Sequence, residues 1–171
     1  MPPTYDPEAV QPMIEELTNV GVESLTTAED VDRLVSQTPG TALLVINSVC
    51  GCAAGNCRPG VNLALRNGKI PNNLGTVFAG VHTEAVERAR SLMAEVPPSS
   101  PCIALFKDGS LIGVLERRHI EQMTAVDIQE ALVKVFDEQC DREGPSVPPE
   151  VADSNEHVKR CGTSIPLYSG D

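Results

Sequence analysis

An uninterrupted apolar segment, Ala42 to Ile46, lies within residues 41–48 of the 171-residue chain. A strand with one solvated face would alternate apolar and polar side chains, so this run predicts a strand that is covered on both faces. Such a strand lies inside a sheet that has helices on either side. The segment therefore favours a layered architecture that covers both faces of the sheet, and a single domain of this length can bury it.

Amphipathic helices and further apolar strands alternate along the rest of the chain. Apolar side chains spaced three and four residues apart predict helices over residues 7–20, 27–38, 58–66, 83–96 and 124–140. Apolar runs predict strands over residues 41–48, 75–81, 102–106 and 110–115, and Asp108-Gly109 joins the last two as a hairpin. The strands over residues 41–48 and 75–81 are joined by the helix over residues 58–66, so they should run parallel. This order predicts an α/β sandwich with a mixed sheet of about four strands and helices on both faces.

The periodic pattern ends near Cys140. Residues 141–171 contain four prolines and show no regular spacing of apolar side chains. We therefore expect one domain over residues 1–140, followed by a mostly irregular C-terminal extension over residues 141–171.

Charge and targeting signals narrow the range of partners. The net charge of −11 repels nucleic acid and anionic membranes, so neither is an expected partner. The N-terminus lacks the basic and apolar regions of a secretory signal, and no apolar run approaches the roughly 20 residues that span a bilayer. A cytoplasmic location is therefore expected. Six cysteines in a reducing compartment are more typical of catalysis, metal binding or burial than of structural disulfides.

Cys50-Gly51-Cys52 follows the apolar strand directly and precedes a helix. A cysteine attacks as its thiolate, and the unpaired N–H groups at the start of a helix favour that ionised form. Cys50 is therefore the candidate nucleophile. Gly51 is expected to permit a tight backbone turn, and Cys52 is close enough to capture a mixed disulfide formed at Cys50.

Several stretches around this dithiol resemble the bacilliredoxin family, and the resemblance covers roughly residues 5–140. They are Asn47 to Gly55, Arg58-Pro59, Val77 to Gly80 and Pro98 to Pro101. The resemblance implies a thioredoxin-like fold with a Cys-Gly-Cys active site. It also implies that Ser100-Pro101 forms the cis-proline loop that faces the active thiol in such proteins.

The same resemblance implies an activity: removal of bacillithiol, a low-molecular-weight thiol, from oxidised protein cysteines. Cys50 would take the bacillithiol group, and either Cys52 or a second small thiol would resolve the mixed disulfide. Disulfide isomerisation by the same pair is an alternative. The expected partners are oxidised client proteins and bacillithiol or a related small thiol as co-substrate, with no bound cofactor.

The other cysteines have separate expectations. Cys57 and Cys102 are expected to be buried, because free cysteine usually packs as a small apolar side chain. Cys57, Cys140 and Cys161 are possible auxiliary thiols, and Cys161 lies beside two cations that would favour its thiolate.

Two functions from other classes remain open at this stage. One is a metal-binding module in which Cys50, Cys52 and Cys57 bind the ion together with Cys102 or His82. Structural zinc sites usually have two closely spaced cysteine pairs, whereas this chain offers one, so we expect no bound metal. The other is a partner-binding scaffold without turnover. His82, His119 and His157 are widely separated and are expected to be surface or capping residues rather than bases.

Overall fold

The computed structural model describes residues 2–157 and 165–170. Seven helices in this part of the chain are α1 (Pro7–Thr18), α2 (Ala28–Val35), α3 (Arg58–Ala64), α4 (Thr83–Ser91), α5 (Arg117–Ile120), α6 (Ala125–Gln139) and α7 (Pro149–Asp153). Seven strands are β1 (Glu23–Ser24), β2 (Thr41–Asn47), β3 (Lys69–Ile70), β4 (Asn73–Phe78), β5 (Cys102–Lys107), β6 (Ser110–Leu115) and β7 (Arg142–Glu143). A π-helical turn, Ala53–Cys57, leads directly into α3.

Five of these strands form one mixed sheet in the order β1-β4-β2-β5-β6. β4 runs parallel to β1 and β2, whereas β5 is antiparallel to β2 and to β6. The expected α/β class and the parallel crossover between the two apolar strands are confirmed. The sheet has five strands rather than about four, because β1 is a two-residue edge strand that is too short to show a hydrophobic period.

The sheet separates two apolar clusters, and every residue of β2 is buried. Leu43 and Val45 face a cluster that contains side chains of α1, α3 and α6. Leu44 and Ile46 face a second cluster that contains side chains of α2 and α4. Because successive side chains of a strand point to opposite faces, the unbroken apolar run fills both clusters and fixes β2 at the centre of the fold.

Some boundaries differ from the sequence prediction. β4 ends at Phe78, which pairs with Asn47 at the end of β2, so the apolar residues that follow have no partner strand there. α4 ends at Ser91, and the chain turns through the next residues toward Pro97-Pro98. Thr27 and Thr124 cap the starts of α2 and α6, where each side chain accepts a backbone N–H group.

The described part of the C-terminal extension packs along the domain. β7 pairs with β3, and the Ser146 hydroxyl donates to the carbonyl oxygen of Val20 at 2.7 Å. Tyr5 and Leu167 form an isolated bridge between the two ends of the chain. The division at residue 140 stays a prediction. No helix in the described ranges has both the length and the apolar character that spanning a membrane requires.

Candidate redox-active site

The dithiol occupies the first turn of the helix that follows the central strand. Helical backbone begins at Gly51 and continues through the π-helical turn into α3, so the helix starts earlier than the predicted position near Arg58. The carbonyl oxygen of Cys50 accepts the N–H groups of Ala53 and Ala54 at 3.1 and 3.2 Å. Cys50 therefore directly precedes the first helical residue and accepts the first hydrogen bonds of the helix, which is the position that its proposed chemistry requires.

The widened π-helical turn is attached to the neighbouring helices by one side chain. The Asn56 amide donates to the carbonyl oxygens of Ile120 and Met123, at 3.0 and 2.6 Å. These two acceptors lie at the end of α5 and in the connection to α6. The turn that carries the thiols is thus fixed to the same segment of chain that begins with Arg117.

The sulfur atoms of Cys50 and Cys52 lie 2.9 Å apart and share a hydrogen bond, and both residues are partly exposed. Gly51 between them is exposed and does not have a positive φ, and a Cβ there would meet nothing within 4 Å. The expected conformational need for glycine is therefore not found. Its lack of a side chain instead leaves the surface beside the two sulfurs uncovered.

The pKa of the Cys50 thiol lies below its ordinary value. Partial burial works to raise it, but four other influences together outweigh burial. These are hydrogen bonds from the Cys52 thiol, the Ser48 hydroxyl and the Ala53 N–H, and the positive charge of Arg117. Each stabilises a thiolate, so Cys50 is the more readily ionised member of the pair.

The pKa of Cys52 moves in the opposite direction, to about 11. Partial burial is the largest cause, followed by the hydrogen bond to Cys50 and repulsion from the charge on Cys50. Cys52 therefore holds its proton while Cys50 is ionised. The pair titrates as one system, and its first proton leaves from Cys50.

The Ser100–Pro101 peptide bond is cis. Cys102 pairs with Ile46, so Pro101 lies beside the end of β2 from which the dithiol turn departs. The guanidinium of Arg117 donates to the carbonyl oxygen of Ser100 at 3.4 Å, and the Arg117 N–H donates to the Ser99 hydroxyl at 3.3 Å. The proline loop and the thiols therefore share one cationic neighbour.

Sequence reasoning missed Arg117, Ser48 and a buried ion pair. Arg58 and Glu16 have 0% and 1% of their side chains exposed, and Arg58 Nε lies 3.0 Å from Glu16 Oε2. Arg58 was noted only as part of the family resemblance, and no local pattern links it to the first helix. A charged residue on the apolar face of α1, as Glu16 is, was the one available signal.

The remaining described cysteines are buried. Cys57, Cys102 and Cys140 are 0%, 2% and 2% exposed, so the expected burial of the first two is found. Burial is the main cause that raises the pKa of each thiol, to about 11 for Cys102. Cys140 and Cys57 are therefore packed in the interior rather than accessible to solvent. Cys161 lies outside the described residues.

Metal ligands do not converge within the described ranges, where no cluster of three or more His, Cys, Asp and Glu side chains could hold an ion. Cys57 and Cys102 belong to different apolar clusters. The histidines have other surroundings: His82 precedes α4, His119 Nδ1 accepts the Glu116 N–H at 3.0 Å, and His157 contacts Glu16.

The sheet order, the dithiol after the central strand and the cis-proline before β5 define a thiol-disulfide oxidoreductase with a thioredoxin-like fold. Residues 5–140 match the model of the family described as disulphide isomerase. A bacilliredoxin from Cytophaga hutchinsonii is 52% identical, over 78% of this chain and 98% of its own length. The chain therefore belongs to the bacilliredoxin family.

Other relatives extend the comparison. A bacilliredoxin from Salinibacter ruber is 46% identical and covers 95% of each chain. Among solved structures, the oxidised thioredoxin from Plasmodium falciparum aligns over 68% of this chain and 99% of its own, with 15% identity and a TM-score of 0.46.

Proposed function

We propose that this chain reduces mixed disulfides between a bacillithiol-type small thiol and cysteines of client proteins, with Cys50 as the nucleophile. The observation that carries the proposal is the pair of partly exposed thiols, 2.9 Å apart at the start of a helix, and the opposite displacement of their pKa values supports it. The bacilliredoxin relatives supply the substrate class. The proposal places the reaction in the cytoplasm, where reduced small thiols can regenerate the dithiol.

In the first step, the Cys50 thiolate attacks the sulfur of the small thiol in the mixed disulfide. The bond between that sulfur and the client cysteine breaks, and the client leaves as a thiolate that takes a proton from water. Cys50 is then joined to the small thiol by a disulfide. The client cysteine is thereby reduced, and Cys50 is oxidised because it now forms the mixed disulfide with the small thiol.

In the second step, Cys52 attacks the sulfur of Cys50 and releases the small thiol. Two of the causes that raise the pKa of Cys52, its hydrogen bond to Cys50 and the charge on Cys50, disappear once Cys50 is in a disulfide. Cys52 therefore becomes easier to ionise at the moment when it is needed. The resulting Cys50–Cys52 disulfide is reduced by further small thiol, which is oxidised in turn.

The trapping experiment uses Cys52→Ser protein mixed with a client that carries bacillithiol on one cysteine. We expect a stable adduct with the mass of bacillithiol on Cys50, detected by intact-mass spectrometry and peptide mapping. Cys50→Ser protein should acquire no adduct at this turn. A bacillithiol adduct on Cys57 or Cys161 with Cys50 unmodified would contradict the role of Cys50 as the nucleophile. If the unsubstituted protein reduced a client that carries glutathione as fast as one that carries bacillithiol, the proposed substrate class would be wrong.

Disulfide isomerisation is the second candidate, favoured by the description of the matched family. It uses the same nucleophile but returns the electrons within one client. Cys52→Ser protein retains the nucleophile, so it can be mixed with a protein whose disulfides have been scrambled, without added reductant. If the scrambled protein then regains its own activity, the result would favour isomerisation over net reduction.

A further inference from the structure

A buried polar network lies directly beneath the turn that carries the dithiol. Its centre is the Glu16–Arg58 ion pair, in which one residue comes from α1 and the other from the start of α3. The second carboxylate oxygen of Glu16 lies 2.6 Å from His157 Nδ1 in the C-terminal extension. Three separate segments of the chain therefore meet at one buried carboxylate.

The other edge of the guanidinium holds the end of the central strand. Arg58 Nη1 donates to Asn47 Oδ1 at 3.0 Å and to the carbonyl oxygen of Ser48 at 2.9 Å. Asn47 Oδ1 also accepts the Ser48 N–H at 2.8 Å, and the Asn47 amide donates to the carbonyl oxygen of Met13 at 3.2 Å. The backbone of Ser48 is thus held through both its N–H and its carbonyl group.

Ser48 connects this network to the reactive sulfur. Its hydroxyl oxygen accepts the Cys50 N–H at 3.1 Å. The same hydroxyl is one of the groups that lower the pKa of the Cys50 thiol, because a hydroxyl that accepts one hydrogen bond can still donate another. The path of contacts from the buried carboxylate therefore runs from Glu16 through Arg58 and Ser48 to the backbone of Cys50.

Stability by itself gives little reason for this arrangement. Two charges lose most of their hydration when they are buried, and apolar side chains of similar volume often replace such a pair without loss of stability. An arginine also provides something that an apolar side chain lacks, which is a rigid planar group that pairs with several acceptors at once. Here one edge faces Glu16 and the other faces the strand end that precedes the thiol.

We propose that Glu16 and Arg58 are positioning residues of the redox site, which hold Ser48 in place so that its hydroxyl fixes the backbone N–H of Cys50 at the start of the dithiol turn. This inference rests on the proposed role of Cys50 as a nucleophile, but not on the identity of the small thiol. It extends the site from the exposed turn to a buried pair that contacts neither substrate nor sulfur.

The test measures the pKa of Cys50 from the ultraviolet absorbance of its thiolate, in a Cys52→Ser background in which a single thiol titrates at the turn. Glu16→Met/Arg58→Met removes both charges and avoids leaving one buried charge unpaired. We expect a rise in the pKa of Cys50 of about one unit, which lowers the thiolate fraction about tenfold at neutral pH. The alkylation rate should fall about threefold, because a more basic thiolate is intrinsically more nucleophilic.

Arg58→Lys tests the same proposal with the charge retained. A lysine can still pair with Glu16 but lacks the second edge that reaches Asn47 and Ser48, so the pKa of Cys50 should again rise. Ser48→Ala gives the reference value for loss of the hydroxyl. As a matched control, Arg66→Met/Asp153→Met removes an exposed ion pair of 2.7 Å that lies away from the turn, and it should leave the pKa unchanged.

An unchanged pKa in Arg58→Lys or in the double Met variant, together with a raised value in Ser48→Ala, would overturn the positioning role. The same conclusion would follow if the exposed-pair control moved the pKa equally. Because absorbance and alkylation require no bacillithiol, the positioning role can succeed while the proposed substrate fails, and the two outcomes are separable.

Discussion

At the scale of single residues, two cysteines separated by one glycine have different chemistry because they have different neighbours. Three hydrogen-bond donors near Cys50 lower its pKa, whereas the pKa of Cys52 is raised by its hydrogen bond to Cys50 and by the charge there. Arg117 lowers the pKa of both thiols, since its guanidinium lies beside the turn. Cys50 is therefore suited to act as the nucleophile and Cys52 as the resolving thiol because their neighbours differ, although both residues are cysteines.

Arg117→Gln removes this nearby cation and should raise the pKa of Cys50. The thiolate fraction at neutral pH then falls, and so does the rate of alkylation by iodoacetamide, by roughly two- to threefold for an exposed charge of this kind. Arg118→Gln is the matched control, because Arg118 is more exposed than Arg117, pairs with Glu116 and is not among the main groups that shift the pKa of either thiol. Equal effects of the two substitutions would argue against a local role for Arg117.

At the scale of elements, the helix that carries the thiols is held in place by its contact with α6. Gly60 lies in α3 against Ile128 of α6, and a Cβ at position 60 would lie 2.6 Å from Ile128 Cγ2 and 3.2 Å from the carbonyl oxygen of Ala125. The two helices thus approach closely because one of them lacks a side chain at the crossing. This close approach also fixes the direction in which the dithiol turn leaves the sheet.

Gly60→Ala should lower the free energy of unfolding by about 1–2 kcal/mol. Overpacking costs about 1–3 kcal/mol, and the better helix propensity of alanine offsets up to about 1 kcal/mol of it. Urea denaturation measures the difference. Gly55→Ala in the π-helical turn is the control, since a Cβ there meets nothing within 4 Å and its stability should be unchanged or higher. A neutral Gly60→Ala would mean that α3 and α6 adjust without strain.

At the scale of the whole molecule, the sheet separates two apolar clusters, and free thiols are buried on both of its faces. Cys57 packs between the sheet and α6, and Cys102 packs on the other face. Both thiols are held in the neutral form, because burial penalises the charged form and raises the pKa of each. The reactive dithiol is therefore the accessible pair among the described cysteines, while the interior thiols are protected from exchange.

This burial predicts that the reduced protein loses stability at alkaline pH. An unfolded cysteine ionises near its ordinary pKa of 9.0, whereas folded Cys102 ionises at about 11. A raised pKa means that the stabilisation is complete below the unfolded pKa and is lost as pH rises toward the folded value, at about 1.4 kcal/mol per pH unit for each such thiol. Urea denaturation in the presence of a reductant at about pH 8 and about pH 10 measures this loss.

The control for the alkaline effect is Cys102→Ala. Any cavity that it creates lowers stability equally at both pH values, so it cancels from the difference between them. The variant should lose less stability than the unsubstituted protein over the same pH range. An identical loss would assign the alkaline sensitivity to lysines or to the other thiols.

Much of the fold could be predicted from local patterns. The unbroken apolar run located β2, the spacing of apolar side chains located α2 and α6, and Asp108-Gly109 located the hairpin. Edge strand β1, the early helical start at Gly51 and the end of β4 were missed. Each of these depends on a partner strand or helix that lies far away in sequence, and local propensity does not report such partners.

The sequence by itself determined the α/β class and the position of a dithiol at a strand-to-helix junction, because hydrophobic period and turn chemistry act within a few residues. Only the tertiary structure decided which thiol ionises first. Ionisation depends on the donors and charges that surround a sulfur, and Arg117, Arg58 and Glu16 reach the dithiol turn or its support only through the packing of distant elements. Hydrophobic pattern is a local property of the chain, whereas the electrostatic environment belongs to the folded molecule.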